Sequence, residues 1–353
     1  MTDITLDLLT LALLPEVGPR RVRDLSARGP LADAIHRPDD HQDLLTAGAR
    51  AMLRSGEARR RAESEQRRAR AQGIELVGLG ESRYPGLLGR IYDPPPVLYV
   101  RGRLDGADDE GCVSVVGSRR ASPHGLALAR ALAREVATAG LTVVSGLARG
   151  IDTAAHRGAV DARGRTVAVL GSGLDRLYPP ENESLADRIV ASGGAVVSEF
   201  PLSAEPLPGN FPRRNRIIAG WSRATVVVEA AARSGALVTA RCALDEGRDV
   251  LAVPGHPSQE CAAGTNQLIR DGAALVRGAI DVLEELGVMF PAVDKPSAGD
   301  DVLGALRVDS PSSLDELQAR SGRPVPELLA RLAELELEEK VRRLPGALFV
   351  RQA

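Results

Sequence analysis

The chain has 353 residues and a mass of 37.3 kDa, with 44% apolar and 26% charged residues and a formal charge of −2. That length implies two or three domains, and the composition excludes a disordered chain. The three cysteines Cys112, Cys242 and Cys261 are odd in number, widely spaced and form no C-x-x-C pair, which argues against a disulfide framework or a zinc ribbon.

The first residues, MTDITLDLL, carry acid where a secretion signal needs base. With no uncharged run of the roughly 18 residues that a membrane span requires, the expectation is a cytoplasmic protein without a membrane partner. Residues 4–14 and 19–28 have helical apolar spacing, joined by Leu14-Pro15-Glu16-Val17-Gly18-Pro19. A hydrophobic-x-x-Gly turn between short helices is the helix-hairpin-helix pattern, whose glycine lets backbone amides approach a phosphate; a plain helical turn reads the same way. A third helical stretch, about 48–72, is rich in arginine and completes a small helical domain over 1–72. Its charge fits a solvated face.

From residue 74 short apolar runs alternate with amphipathic helices: IELVGL, PVLYV, CVSVVGS, LTVVSGL, TVAVLGSG, AVVSEF, ATVVVEA and DVLAVP. Near-continuous apolar strands interleaved with helices predict a parallel sheet covered on both faces, a doubly wound, Rossmann-like α/β domain over 73–286. Pro291, Pro296, Ser297 and Gly299 mark a linker over 287–299. Residues 300–353 read as three helices and a short strand pair, a winged-helix layout.

A doubly wound sheet binds ligands outside the carboxyl ends of its strands, so chemistry is sought in the loops that follow them. After the first central strand comes Gly117-Ser118-Arg119-Arg120-Ala121-Ser122-Pro123. Ser122 suits a helix cap and Pro123 a first turn, so free amides beside Arg119 and Arg120 suit an anion site; a capped turn without a ligand reads the same way. The next strand ends in Ser145-Gly146-Leu147-Ala148-Arg149-Gly150, again fitted to phosphate. In the following helix Asp152 and His156 lie four apart on one face, where they can anchor the helix as a hydrogen-bonded pair or ligate a metal.

Gly171-Ser172-Gly173 begins like a dinucleotide fingerprint but has Arg176 in place of the third glycine, which disfavours a dehydrogenase. Only Lys295 and Lys340 are lysines, and neither precedes Ser or Thr, so a Walker A loop is excluded. The densest cluster is Asn210-Phe211-Pro212-Arg213-Arg214-Asn215-Arg216. Three arginines beside a scarce aromatic combine charge neutralisation with a stacking surface, the combination used for single-stranded nucleic acid; the alternative is an arginine-rich helix start with Phe211 in the core. Glu229 ends the next strand as a supporting carboxylate, Ser234, Gly235 and Thr239 supply another helix start, and Gly255 follows the last long strand.

Taken together, VGSRRAS, SGLARGIDTAAH, AVLGSGLDRLYPPEN, SEFP, NFPRRNRIIAG, VVVEAAARSGALVTA, AVPGHP and GTNQLIRDGA closely resemble the DNA processing protein A (DprA/Smf) family over about residues 74–285. The flanks resemble, more weakly, its sterile-alpha-motif-like and winged-helix domains. The resemblance implies a non-enzymatic recombination mediator without cofactor or metal. Such a protein binds single-stranded DNA, forms a homodimer and loads the RecA recombinase during natural transformation, alongside other competence or single-strand-binding proteins. It also implies that Arg119, the glycine loops and the Phe211 to Arg216 segment line the DNA pocket. This sequence departs from the family at Trp221, where a smaller aliphatic is usual, and at Pro180-Glu181, where a basic residue is common. In the tail, Leu335-Glu336-Leu337-Glu338-Glu339 lacks the usual glycine, and residues 324–339 hold five acids against Arg331 alone, a net of −4. A helix of that charge repels DNA, so the tail is expected to pack or to contact protein. The enzymatic alternative is a phosphoribohydrolase-type nucleotide-processing protein, faintly suggested by Pro254-Gly255-His256 and Gly264-Thr265.

Overall fold

Apolar, mostly valine-bearing runs of four to six residues form the longer strands of the main sheet, because β-branched side chains pack well on a pleated, buried surface. The structure, a computed structural model, describes residues 4–104, 111–288, 301–306, 311–338, 340–344 and 348–351. Nine strands make one sheet: β1 (Glu75–Gly78), β2 (Val97–Gly102), β3 (Cys112–Val116), β4 (Thr142–Ser145), β5 (Thr166–Val169), β6 (Ala195–Ser198), β7 (Ala224–Val227), β8 (Asp249–Ala252) and β9 (Ala274–Leu275). Their order is β1-β2-β6-β5-β4-β3-β7-β8-β9. The seven strands from β6 to β9 run parallel. Only β2 is reversed: it pairs antiparallel with β6 on one side and with β1 on the other, so β1 runs in the same direction as the seven. Apolar runs carry no sign of direction, so IELVGL and PVLYV read like the parallel strands they sit beside.

The helix Pro123–Thr138 connects β3 to β4, whereas Asn210–Trp221 crosses from β6 back to β7 on the other side of β3. The strand order therefore reverses between β3 and β7, which opens a crevice at their carboxyl ends. Beneath it lies a core of Val116, Val144, Val169, Ile217, Trp221 and Val227. Trp221 is only 2% exposed, so the departure from the family's small aliphatic is absorbed in packing. Complete burial of one such aliphatic side chain contributes about 1.5–3 kcal/mol.

The amino-terminal helices Ile4–Ala12, Pro19–Arg28 and Leu31–His36 share a second apolar cluster with Val97, Tyr99 and Leu202 of the sheet domain. Met1–Met289 accordingly forms one compact unit. The arginine-rich stretch is two helices, Ala47–Arg54 and Glu57–Ala71, separated by Gly56 at φ 71°, a left-handed angle that ends one helix before the next begins. No helix among the described residues is long and apolar enough to cross a membrane.

Phe290–Ala353 forms the second unit. The helices Asp301–Ala305, Leu314–Ser321 and Val325–Leu337 accompany a three-stranded sheet of β10 (Ser312–Ser313), β11 (Val341–Leu344) and β12 (Leu348–Arg351), in the order β10-β12-β11. Val302, Leu317, Leu328, Leu332, Leu335 and Phe349 fill its core. This is the winged-helix arrangement. Glu339 and linker residues 289–299 lie outside the described residues.

Candidate nucleic-acid interface

Among the described residues, each strand from β3 to β8 is followed by a helix that begins at the carboxyl edge of the sheet, and the sequence after β3 shows how one such start is built. Ser122 caps Pro123–Thr138, its hydroxyl accepting from the Gly125 N–H at 3.0 Å, with proline in the first turn. Glu229, at the end of the β7 segment, reaches across to the same corner. Its carboxylate accepts the Ser122 N–H at 2.9 Å and the Ser122 hydroxyl at 2.5 Å. A negative group at a helix start is electrostatically favoured, and here it locks the Arg119 loop to the β7 loop.

Between these loops lies a cleft of about 1040 Å³. Gly117, Ser118, Arg119 and Arg120 form one wall, and Ser234, Gly235 and Thr239 another. Phe211, Arg214 and Asn215 come from the start of the Asn210–Trp221 helix, and Asp152 lies at the base. The Arg119 guanidinium stacks 5.1 Å from the Phe211 ring centroid, and the Tyr178 ring meets Phe211 at 5.9 Å, tilted by 54°. Arg119, Arg120 and Arg233 are exposed, and among the described residues none of them is paired with a carboxylate.

Two of these groups escape the sequence reading. Tyr178 sits in the loop YPPEN and Arg233 directly before Ser234-Gly235. The available signal was the scarcity of aromatics, one Trp, four Tyr and four Phe in the whole chain, together with an arginine next to a helix start.

The arginine cluster divides: Arg214 lines the cleft but is committed to the interior, and the remaining predicted residues lie outside the cleft. Arg214, 3% exposed, donates from Nη1 to the Gly146 carbonyl at 2.8 Å and to the Val169 carbonyl, tying β4 and β5 to the helix that carries it. Arg216 donates to Asp93 at 2.9 Å and to Glu199 at 2.7 Å, and Arg213 reaches Glu199 at 3.2 Å. Helical spacing turns these side chains away from the Arg119 wall, so both are engaged by acids distant in sequence. Arg149 is paired with Glu181, Ser145 donates to the Val115 carbonyl at 2.6 Å, and Asn210 donates to the Glu205 carbonyl at 3.1 Å.

Several glycines serve packing. A Cβ at Gly146 would stand 2.7 Å from both Arg214 Cζ and Asp152 Oδ2, and one at Gly173 would stand 2.1 Å from the Pro201 and Leu202 carbonyl oxygens. Gly150, at φ 79°, lies 2.2 Å by the same measure from the Ser118 carbonyl oxygen, so it lets the β4 loop support the Arg119 loop. Gly171 backs the Phe211 ring. Gly255 faces away into a separate groove, held by Asn266 Oδ1 at 3.1 Å from its N–H.

Asp152 and His156 anchor their helix, though not to each other. Asp152 accepts the Gly146 N–H at 3.1 Å and the Ala148 N–H at 3.4 Å, while His156 Nδ1 pairs with the Thr166 hydroxyl at 2.7 Å. Each finds a nearer partner instead, Asp152 in the loop after β4 and His156 in β5. Burial pushes Asp152 up to about 6 against the opposing pull of Arg214, and pushes His156 down to about 3. Burial likewise lowers Arg214 to about 10.

Residues 75–287 match the family profile of DNA recombination-mediator protein A, and residues 290–347 that of the DprA winged helix domain. The chain belongs to the DNA recombination-mediator protein A family. It is 42% identical to protein Smf of Escherichia coli (strain K12) over 284 residues, 77% of this chain and 76% of that protein. The X-ray structure of DNA processing protein A from Streptococcus pneumoniae superposes with a TM-score of 0.68 at 34% identity, covering 81% of this chain and 98% of that one. DNA processing protein A from Helicobacter pylori, described for its single-stranded DNA binding mode, gives a TM-score of 0.54 at 28% identity, covering 60% of this chain and 96% of that one.

Proposed function

We propose that the cleft binds single-stranded DNA and that the chain acts as a recombination mediator. The observation that carries this reading is the set of unpaired guanidiniums, Arg119, Arg120 and Arg233, around a cleft holding the Phe211 and Tyr178 rings. Unpaired cations neutralise phosphates and release their counterions, while an aromatic face accepts any base. A duplex keeps its bases stacked inside, so it gains only the charge contribution. Nothing in the cleft constitutes a code for base edges, and sequence preference is accordingly slight.

In the wider role that family membership supports, the protein shields incoming single strands and loads the RecA recombinase during natural transformation. It does so as a homodimer in the cytoplasm, through binding and without a catalytic step. The helix Val325–Leu337, flanked by acid, contributes to protein contacts and not to duplex reading.

The direct test is RecA filament growth on strands coated with a single-strand-binding protein, with and without this protein. Acceleration that Arg119→Ala removes supports the mediator role. If no single strand binds even at low salt, the reading fails, and release of free base from nucleoside monophosphates becomes the assay to run.

A further inference from the structure

A second basic groove adjoins the cleft. Arg119 and Arg120 line both cavities, so the two adjoin at that wall. From there a groove of about 400 Å³ runs between the Pro123–Thr138 and Ile151–Asp161 helices, over Leu126 and Ala154, to Arg130 and Arg157. Its walls are fixed by close helix packing: a Cβ at Gly158 would stand 2.1 Å from the Arg130 carbonyl oxygen.

The groove's chemistry differs from that of the cleft. Arg130 is engaged by Asp161, its Nε donating at 2.9 Å. Arg157 is exposed and has no carboxylate partner among the described residues. The Thr153 hydroxyl is already committed to the Ala148 carbonyl at 2.7 Å, and no aromatic ring lines the walls. An occupant therefore meets free guanidiniums at both ends and an aliphatic floor between them. That combination suits a chain of phosphates and offers bases neither a stacking face nor a hydrogen-bond code.

We propose that this groove is a second phosphate subsite, into which the backbone of a bound single strand continues after it leaves the cleft over Arg120. The proposal rests on the single-strand reading of the cleft. It makes the footprint longer than the cleft alone can hold, with Arg157 as its far contact.

The test compares oligo-dT of about 6 nucleotides, enough for one compact site, with oligo-dT of about 15, enough to run on. Arg157→Ala is expected to weaken the longer strand about three- to tenfold at low salt and to reduce its log–log salt slope by about 0.7, one phosphate contact. Arg157→Glu weakens it further, and for both variants the loss is confined to the longer strand. Arg119→Ala forms the separate arm and must weaken the short strand. If it does so while both Arg157 variants bind the longer strand with wild-type affinity and slope, the groove proposal is overturned and the cleft reading stands. Equal losses on both lengths also overturn it, because Arg157 would then act on the cleft. An Arg119→Ala protein that binds the short strand normally removes the cleft reading, and the groove proposal with it.

Discussion

A single methyl group at position 171 reaches the aromatic platform without touching a charge. A Cβ on Gly171 would stand 2.8 Å from Cδ1 and 3.1 Å from Cε1 of Phe211, where ordinary contact is 3.4–4 Å. The backbone at Gly171 is not left-handed, so alanine brings no strain of its own. Phe211 is half-buried in the first turn of its helix, between Tyr178 and Arg119, and the ring has only the cleft to move into. Overpacking of this kind costs about 1–3 kcal/mol, and each kcal/mol lowers Tm by about 2–4 °C in a unit of this size. The displaced ring also forfeits part of a stacking contribution of about 1–3 kcal/mol per base, and losing about half of it lowers single-strand affinity roughly 2- to 10-fold. No cation is removed, and the salt slope stays at the wild-type value. Fluorescence anisotropy of labelled oligo-dT through a salt series reads both quantities, and Phe211→Leu beside it completes a double-mutant cycle. Wild-type affinity in a folded Gly171→Ala protein with lowered Tm would refute the platform, since the ring would have moved without consequence for DNA.

Glu229→Ala removes the acceptor for both Ser122 groups and leaves a void beside Gly125; it should cost about 2–4 kcal/mol, read by urea unfolding, and a loss below about 1 kcal/mol would mean that the corner does not depend on it. Because burial raises the folded-state pKa of Asp152 to about 6 from 3.8, the native protein binds the proton more readily than the unfolded chain. Its contribution is fully present below about pH 4 and is lost as pH rises through 6. Wild type should therefore gain stability over Asp152→Asn as pH falls from 7 to 4. His156, whose lowered pKa acts in the opposite direction, is present in both proteins and cancels in that difference. A difference that is flat or of opposite sign would refute the burial argument. Deleting residues 290–353 should leave oligo-dT affinity within about tenfold, or ~1.4 kcal/mol, because the cleft residues all lie in the first unit; a larger loss in a gel-shift titration would place the tail on the strand.

Local chemistry made part of this molecule readable. Ser122-Pro123 announced a capped helix start because the cap is a contact between residues three apart, and the apolar runs announced the buried sheet because their pattern is continuous. Direction is different: the reversal of β2 depends on β6, a partner far along the chain. The same limit divided the arginines. Arg119 and Arg216 are alike in the sequence, yet Arg216 finds Asp93, separated by 123 positions, and Glu199. Glycine loops were legible as places where a side chain cannot fit, but not as to why. At Gly117, Gly146 and Gly173 the neighbour is the protein's own interior, whereas Gly235 has open space on the cleft side. Tyr178 shows the converse, an exposed ring made relevant only by meeting Phe211.

The central claim is tested most directly by titrating oligo-dT and its matched duplex across a salt series, for wild type and Arg119→Ala. The account predicts salt-sensitive binding that favours the single strand, weakened by the substitution, with a slope smaller by about 0.7 for the phosphate contact removed. Equal affinity for duplex and single strand, or an affinity loss with an unchanged slope, would contradict a cleft in which Arg119 meets the backbone of a single strand.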